Sequence, residues 1–235
     1  MSLYPVNLSI ADKLCLIIGG GTVALRKTKS LLASGTAGAM RPRIRVISPQ
    51  VHAELKVLIQ KNEIEWFERE FAEGDLKGAF LVFAATNDQD VQTLIAREAA
   101  KYSVLLNSAD DPKGSHFHVP AHFRRGKMLI TVSTGGSSPA LAKIIRQQLE
   151  LEVVPEYEIV VELLSLIREK VVRQDGDSVT NGELFRRLLQ LGIIELTLNA
   201  NWFELQMMLL QELPESVDAV AIMKKILGKY DKSID

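Results

Sequence analysis

The chain has 235 residues, with 28 basic against 29 acidic side chains and 47% hydrophobic content. That length gives one large domain or two modest ones with a real core. The balance excludes a disordered acidic tail and lacks the basic footprint of a nucleic-acid binder, which leaves a small molecule or another subunit as the expected partner. The single cysteine, Cys15, lies in an apolar run, so no internal disulfide can form and a reducing, cytoplasmic compartment is expected. No stretch approaches the ~18 consecutive apolar residues of a membrane span. The first apolar run, residues 14–18, is short and ends in glycine, which reads as a strand and not a signal peptide.

Residues 14–18 are β-prone, three glycines follow, and Val23, Ala24, Leu25, Leu31 and Leu32 then recur at helical spacing. A second strand is expected at 44–47, stopped by Ser48-Pro49, with a helix after it carrying His52, Leu55, Leu58 and Ile59. A short strand at 64–66 leads to the continuous apolar run 80–85, the pattern of a parallel strand buried on both faces. Thr86-Asn87-Asp88 closes it, a helix runs from Gln89 to Lys101, and a last strand covers 104–107. This βαβ alternation predicts a Rossmann-type α/β fold with a doubly wound parallel sheet. Beyond Pro112, strands are expected at 117–120 and 128–132, on either side of the turn Arg125-Gly126-Lys127. Ser138 as N-cap and Pro139 at the first helical position open a helix to about Glu150. From Pro155 the chain reads as helical, over 155–173, 182–191, 199–212 and 215–227, with Asn181 and Gly228 as boundaries.

Gly19-x-Gly21-x-x-Ala24 follows a strand and opens a helix, the context in which it marks a dinucleotide site. Gly19 permits the tight turn, Gly21 removes a Cβ that would obstruct a pyrophosphate, and Ala24 allows close packing of helix on strand. The N–H groups of Gly21, Thr22, Val23 and Ala24 and the helix dipole then face the phosphates. The second strand ends in Ser48-Pro49 where an Asp or Glu usually holds the adenosine ribose, so the residues alone do not choose between NAD and NADP. Arg41, Arg43 and Arg45 suit a 2′-phosphate or are simply solvated charges.

Four segments together resemble the precorrin-2 dehydrogenases of siroheme biosynthesis, some of which are also sirohydrochlorin ferrochelatases. They are Tyr4-Pro5-Val6-Asn7-Leu8, the run Gly19 to Lys27, Ala85-Thr86-Asn87-Asp88, and the run Ser133 to Ala142. The match spans about residues 3–150. The resemblance implies NAD-dependent oxidation of precorrin-2 to sirohydrochlorin, with Fe(II) insertion to siroheme as a further activity in some members. It also implies a Rossmann domain at 1–112 using Ser48, Pro49, Thr86 and Asn87 around the cofactor. A dimerisation segment at 113–150, giving a homodimer, and a helical domain at 151–235 would follow.

The family places an aspartate in an Asn-x-x-Asp context after the last Rossmann strand, matched here by Asn107-Ser108-Ala109-Asp110. Asp110 is therefore the expected catalytic base, with Asp111 the lesser candidate. Ser133, Thr134, Gly135, Gly136, Ser137 and Ser138 offer hydroxyls and N–H groups at a helix N-terminus, suited to the carboxylates of a tetrapyrrole. Arg124, Arg125, Lys127 and Lys143 add positive charge. His116 is expected near the substrate. His116, His118 and His122 also permit metal ligation by spacing, but no fourth ligand is evident and no metal site is expected. Trp202, Met207, Met208, Leu209 and Leu210 read as core packing in preference to a tetrapyrrole surface. Two other classes stay open: a non-catalytic dinucleotide-sensing module with a helical partner-binding region, and a methyltransferase using the glycine turn for S-adenosylmethionine.

Overall fold

A computed structural model of the chain describes residues 3–35, 40–109, 111–172 and 178–230. It forms two compact units, the first ending at Val119 and the second beginning at Pro120.

In the first unit, β1 (Leu14–Ile18), α1 (Thr22–Leu32), β2 (Arg43–Ile47), α2 (Ala53–Gln60) and β3 (Glu65–Phe67) precede β4 (Leu81–Ala84), α3 (Gln89–Tyr102) and β5 (Leu105–Ser108). The strands pair in parallel in the order β3-β2-β1-β4-β5. Side chains alternate across a strand, so β1 feeds two cores. Cys15 and Ile17 pack with Ala24, Val46, Leu55 and Phe83, whereas Leu16 and Ile18 pack with Ile47, Val82, Ile95 and Ala99. The expected doubly wound sheet is thus present, with one departure: turns, not a helix, connect β3 to β4. Glu98 of α3, 1% exposed, holds those turns by accepting the N–H groups of Gly74 at 2.9 Å and Leu76 at 3.4 Å. Its buried carboxylate is thereby satisfied.

The β5 edge is covered by residues 115–117 without a regular ladder. The His116 N–H donates to the Leu106 carbonyl at 2.8 Å, the Leu106 N–H donates to His116 Nδ1 at 3.2 Å, and Ser115 Oγ accepts the Ser108 N–H at 2.9 Å. Asn107 Nδ2 donates to the Phe117 carbonyl, and the Phe117 ring meets Phe83 edge-on. These side-chain substitutes correct the strand expected at 117–120, because a ladder there would need the N–H that Pro120 lacks. His116 and His118 consequently share no strand face.

In the second unit, β6 (Ala121–Arg125) and β7 (Met128–Val132) form an antiparallel hairpin backed by α4 (Pro139–Glu152). Arg125 ties them together, donating from Nε to the Val153 carbonyl at 2.9 Å and from Nη2 to the Glu150 carbonyl at 3.0 Å. There a cation meets the unpaired carbonyls of a helix C-terminus. Helices α5 (Tyr157–Val172), α6 (Ser178–Gln190), α7 (Ile193–Leu198), α8 (Trp202–Glu212) and α9 (Ala219–Tyr230) follow, around a core that includes Leu163, Ile167, Leu188, Ile193, Leu205, Leu209 and Ile222.

Three sequence expectations change here. The six-residue α7 is too short to display a helical period and follows the left-handed Gly192 (φ 85°). Asn181 lies inside α6 and bounds nothing. Gly228 lies inside α9, where burial of Ala219, Ile222, Met223 and Ile226 outweighs a glycine cost of about 1 kcal/mol.

Candidate active site

The carboxyl ends of β1, β2 and β4 meet where the strand order reverses, the place open α/β sheets reserve for ligands. A cleft of about 140 Å³ opens there, lined by Ile18, Gly19, Ile47, Ser48, Pro49, Glu70, Phe71, Thr86, Asp88 and Val91. The three glycines divide the work of reaching it. Gly19 has φ 113°, and a Cβ on it would stand 2.3 Å from the Ala85 carbonyl oxygen. A Cβ on Gly20 would stand 1.9 Å from the Gln50 carbonyl oxygen. A Cβ on Gly21, by contrast, would meet nothing within 4 Å. Two glycines thus let backbone pack on backbone, and the third leaves open space at the N-terminus of α1.

Gly21 is the N-cap of α1, gives it no side-chain cap, and no acidic residue occupies the first turn. The first N–H groups of the helix therefore offer positive potential toward that open space. Ala24 is fully buried beneath them. Of the residues expected around the cofactor, Gly19, Ser48, Pro49 and Thr86 line the cleft, Gly21, Thr22 and Val23 form the open turn, and Asn87 is exposed at the end of β4. Glu70 and Asp88 line it too, although the sequence reading gave them no ligand role. Asp88 is recognisable as the α3 N-cap, accepting the Asp90 and Val91 N–H groups through Oδ1.

Ser48 is 8% exposed and engaged on three sides: its hydroxyl donates to the Gln50 carbonyl at 2.7 Å, its N–H to Phe67, and its carbonyl accepts Trp66 Nε1. His52 caps α2 from just outside it, accepting the Glu54 N–H, so it does not lie on the helix as expected. Arg45 pairs with Glu65, and Arg41 and Arg43 border a separate cleft at the opposite, N-terminal end of the strands.

Lys27 lies on the inner side of α1 with Nζ 4.8 Å from the Phe83 ring centroid. Burial, reinforced by Arg26, lowers its ammonium from 10.5 to about 8. Burial pushes the Cys15 thiol up to about 12, which makes it an inert core group.

Asp110 lies outside the described residues. Its neighbour Asp111 serves a turn, with Oδ1 accepting the N–H groups of Lys113 and Gly114 at 3.0 Å. In the second unit, the run 133–138 is held by its own hydroxyls. Ser133 Oγ accepts the Gly135 N–H, Thr134 Oγ1 the Ser138 N–H, and Ser138 Oγ the Leu141 N–H as the expected N-cap. In these three bonds each hydroxyl accepts, which leaves its hydrogen for donation. Gly135 and Gly136 adopt φ 62° and 86° beside open space. Lys127 is engaged by Glu162 and Ser165, as Arg125 is by α4. Lys143 is exposed and Arg124 half-buried.

Among the described residues, no group of three or more His, Cys, Asp or Glu side chains could hold a metal ion. Likewise, no described helix is long and apolar enough to cross a membrane. On α8, Leu205 and Leu209 are buried and Trp202 and Met208 pack on the core, whereas Met207 and Leu210 are exposed.

Residues 6–121 match the family model described as "Putative NAD(P)-binding", and residues 125–150 match that of the "Sirohaem biosynthesis protein central" region. The chain is similar to proteins of siroheme biosynthesis over most of its length. It is 34% identical to a siroheme synthase of Pseudomonas paraeruginosa over 171 residues, 73% of this chain and 36% of the relative. It is also 34% identical to a siroheme synthase of Thioalkalivibrio sulfidiphilus over 196 residues, 83% of this chain and 39% of the relative. The chain thus spans little more than a third of the length of these relatives. A solved structure titled "SirC, precorrin-2 dehydrogenase" shares the fold with a TM-score of 0.66 and 24% identity, covering 98% of this chain and all of that one.

Proposed function

We propose that this chain oxidises precorrin-2 to sirohydrochlorin with NAD. The observation that carries the reading is the glycine cradle: Gly19 and Gly20 wedged against backbone, Gly21 open, and an uncapped helix start beside a cleft at the sheet's switch point. Gly21, Thr22 and Val23 would hold the pyrophosphate, and Ser48, Pro49 and Thr86 the adenosine half. NAD supplies the hydride acceptor when bound. The sensing and methyltransferase alternatives share the turn, but neither accounts for the match over residues 125–150.

The reaction removes a hydride and a proton from the macrocycle, and the protein's own task is to take the proton. Asp110, two residues beyond β5, is the carboxylate we assign to it, on the family's Asn-x-x-Asp pattern. Asp111 is held in its turn by two N–H groups, which favours Asp110 as the base. Ser133, Thr134, Ser137, Ser138 and the N–H group of Gly136 would receive substrate carboxylates beside Gly135, with Arg124 and Lys143 supplying charge and His116 bordering the substrate. Fe(II) insertion rests on the family resemblance alone.

The second unit supports a homodimer. A two-stranded sheet is marginal by itself, and α4 leaves Leu141, Ile144 and Leu151 at 48%, 51% and 79% exposure. A cytoplasmic location accords with the one reduced, buried cysteine. The domain division 1–112, 113–150 and 151–235 assigns cofactor binding to the first segment and dimerisation to the second, followed by the helical domain.

The test is anaerobic incubation of the protein with precorrin-2 and NAD, followed by absorbance. Conversion by the wild type and by Asp111→Asn, with loss of at least a hundredfold in Asp110→Asn, is the expected pattern. No conversion by the wild type would overturn the reading, and an active Asp110→Asn would overturn the assignment of the base.

A further inference from the structure

The dinucleotide cleft is acidic in a place where the usual ribose-binding acid is missing. Rossmann sheets ordinarily put an Asp or Glu at the end of the second strand to accept the ribose hydroxyls, and an Arg nearby where a 2′-phosphate is bound. Here that position is Ser48, whose hydroxyl hydrogen is committed to the Gln50 carbonyl. The carboxylates that line the cleft instead are Glu70 and Asp88. Asp88 is occupied in capping α3. The Glu70 side chain has no hydrogen bond or ion pair among the described residues, although its carbonyl accepts from Arg69.

Glu70 reaches the cleft because β3 runs beside β2 and ends with it. Ile47 pairs with Phe67, the Ser48 N–H donates to the Phe67 carbonyl, and the chain then passes through Glu70 to Phe71, which buries itself under the cleft. The arginine beside Glu70 does not neutralise it. Arg69 makes two hydrogen bonds of 2.7 Å to Asp75. Arg41 and Arg43 border the cleft at the other end of the strands, and Arg45 pairs with Glu65. Among the described residues, no Lys or Arg lines this cleft.

We infer that Glu70, supplied from beyond β3, is the carboxylate that holds the adenosine ribose and sets the preference for NAD over NADP. It accepts from ribose hydroxyls as the acid at the end of β2 does elsewhere, and its charge repels a 2′-phosphate. This rests on the dinucleotide reading given above.

The experiment is direct titration of the full chain with NADH and with NADPH, read by nucleotide fluorescence, for wild type, Glu70→Gln, Glu70→Arg and, as a charge control, the exposed Glu73→Gln. The wild type and Glu73→Gln should bind NADH more tightly than NADPH. Glu70→Gln should weaken NADH about tenfold. Glu70→Arg should reverse the order of the two nucleotides. Wild-type binding of NADH with an unchanged NADH/NADPH ratio in both Glu70 variants would overturn the role of Glu70 alone. Failure of the wild type to bind either nucleotide would overturn the dinucleotide reading, and this inference with it.

Discussion

His116 and Leu106 are joined by two hydrogen bonds, the His116 N–H to the Leu106 carbonyl at 2.8 Å and the Leu106 N–H to His116 Nδ1 at 3.2 Å. A side chain thus completes what a neighbouring strand would, on the edge of the sheet that carries Asn107. Leu106 is 4% exposed, so removing the acceptor leaves a buried N–H unpaired. We predict that His116→Ala costs about 1–3 kcal/mol in denaturant unfolding of the first unit. His116→Asn, whose Oδ1 sits where Nδ1 does, should recover most of it. Loss of activity in both variants with stability unchanged would assign His116 to the substrate alone.

The glycine turn makes a paired prediction. Gly20→Ala would drive a Cβ into the Gln50 carbonyl and should destabilise the first unit by several kcal/mol, seen as a large fall in thermal midpoint or in folded yield. Gly21→Val enters open space at φ −82° and should keep the wild-type midpoint, yet lose NADH binding by tenfold or more. Equal NADH affinity in Gly21→Val and wild type would contradict phosphate binding at this turn.

Lys27 gives the pH dependence. Its folded pKa, about 8, lies below the usual 10.5, so between these values the unfolded chain holds more protons and stability rises with pH. The cost of burying the ammonium is fully present below pH 8. Lys27→Met should therefore stabilise the first unit by about 1 kcal/mol at pH 7, net of the lost contact with Phe83, and the gain should vanish by about pH 10.5. Denaturant midpoints across that range check it.

Legibility varied with how much of each feature is local. All five parallel strands were readable within a residue or two, because their apolar runs end in Gly, Pro or polar caps. Ser138 and Pro139 announced α4 by capping chemistry alone. Local pattern could not show that residues 115–117 would satisfy β5 through side chains, or that Glu98 would hold the β3–β4 turns from 22 and 24 residues away. The site followed the same rule. Gly19 and Gly21 signal through spacing, whereas Gly20 owes its role to Gln50 and Glu70 reaches the cleft by strand pairing.

The exposed apolar residues of α4 test the homodimer. Leu141→Glu with Ile144→Glu should convert a dimer into a monomer in light scattering, with helical content retained. A wild-type chain that is already monomeric at micromolar concentration would contradict the dimer.

The proposed reaction is a two-electron oxidation in which hydride and proton part company. Its most direct measurement is the ratio of NADH formed to sirohydrochlorin formed, anaerobically, from precorrin-2 and NAD with the wild-type chain. Equimolar products, and no sirohydrochlorin when NAD is omitted, are expected. Sirohydrochlorin formed at an enzyme-dependent rate without NADH, or no product at all, would contradict it.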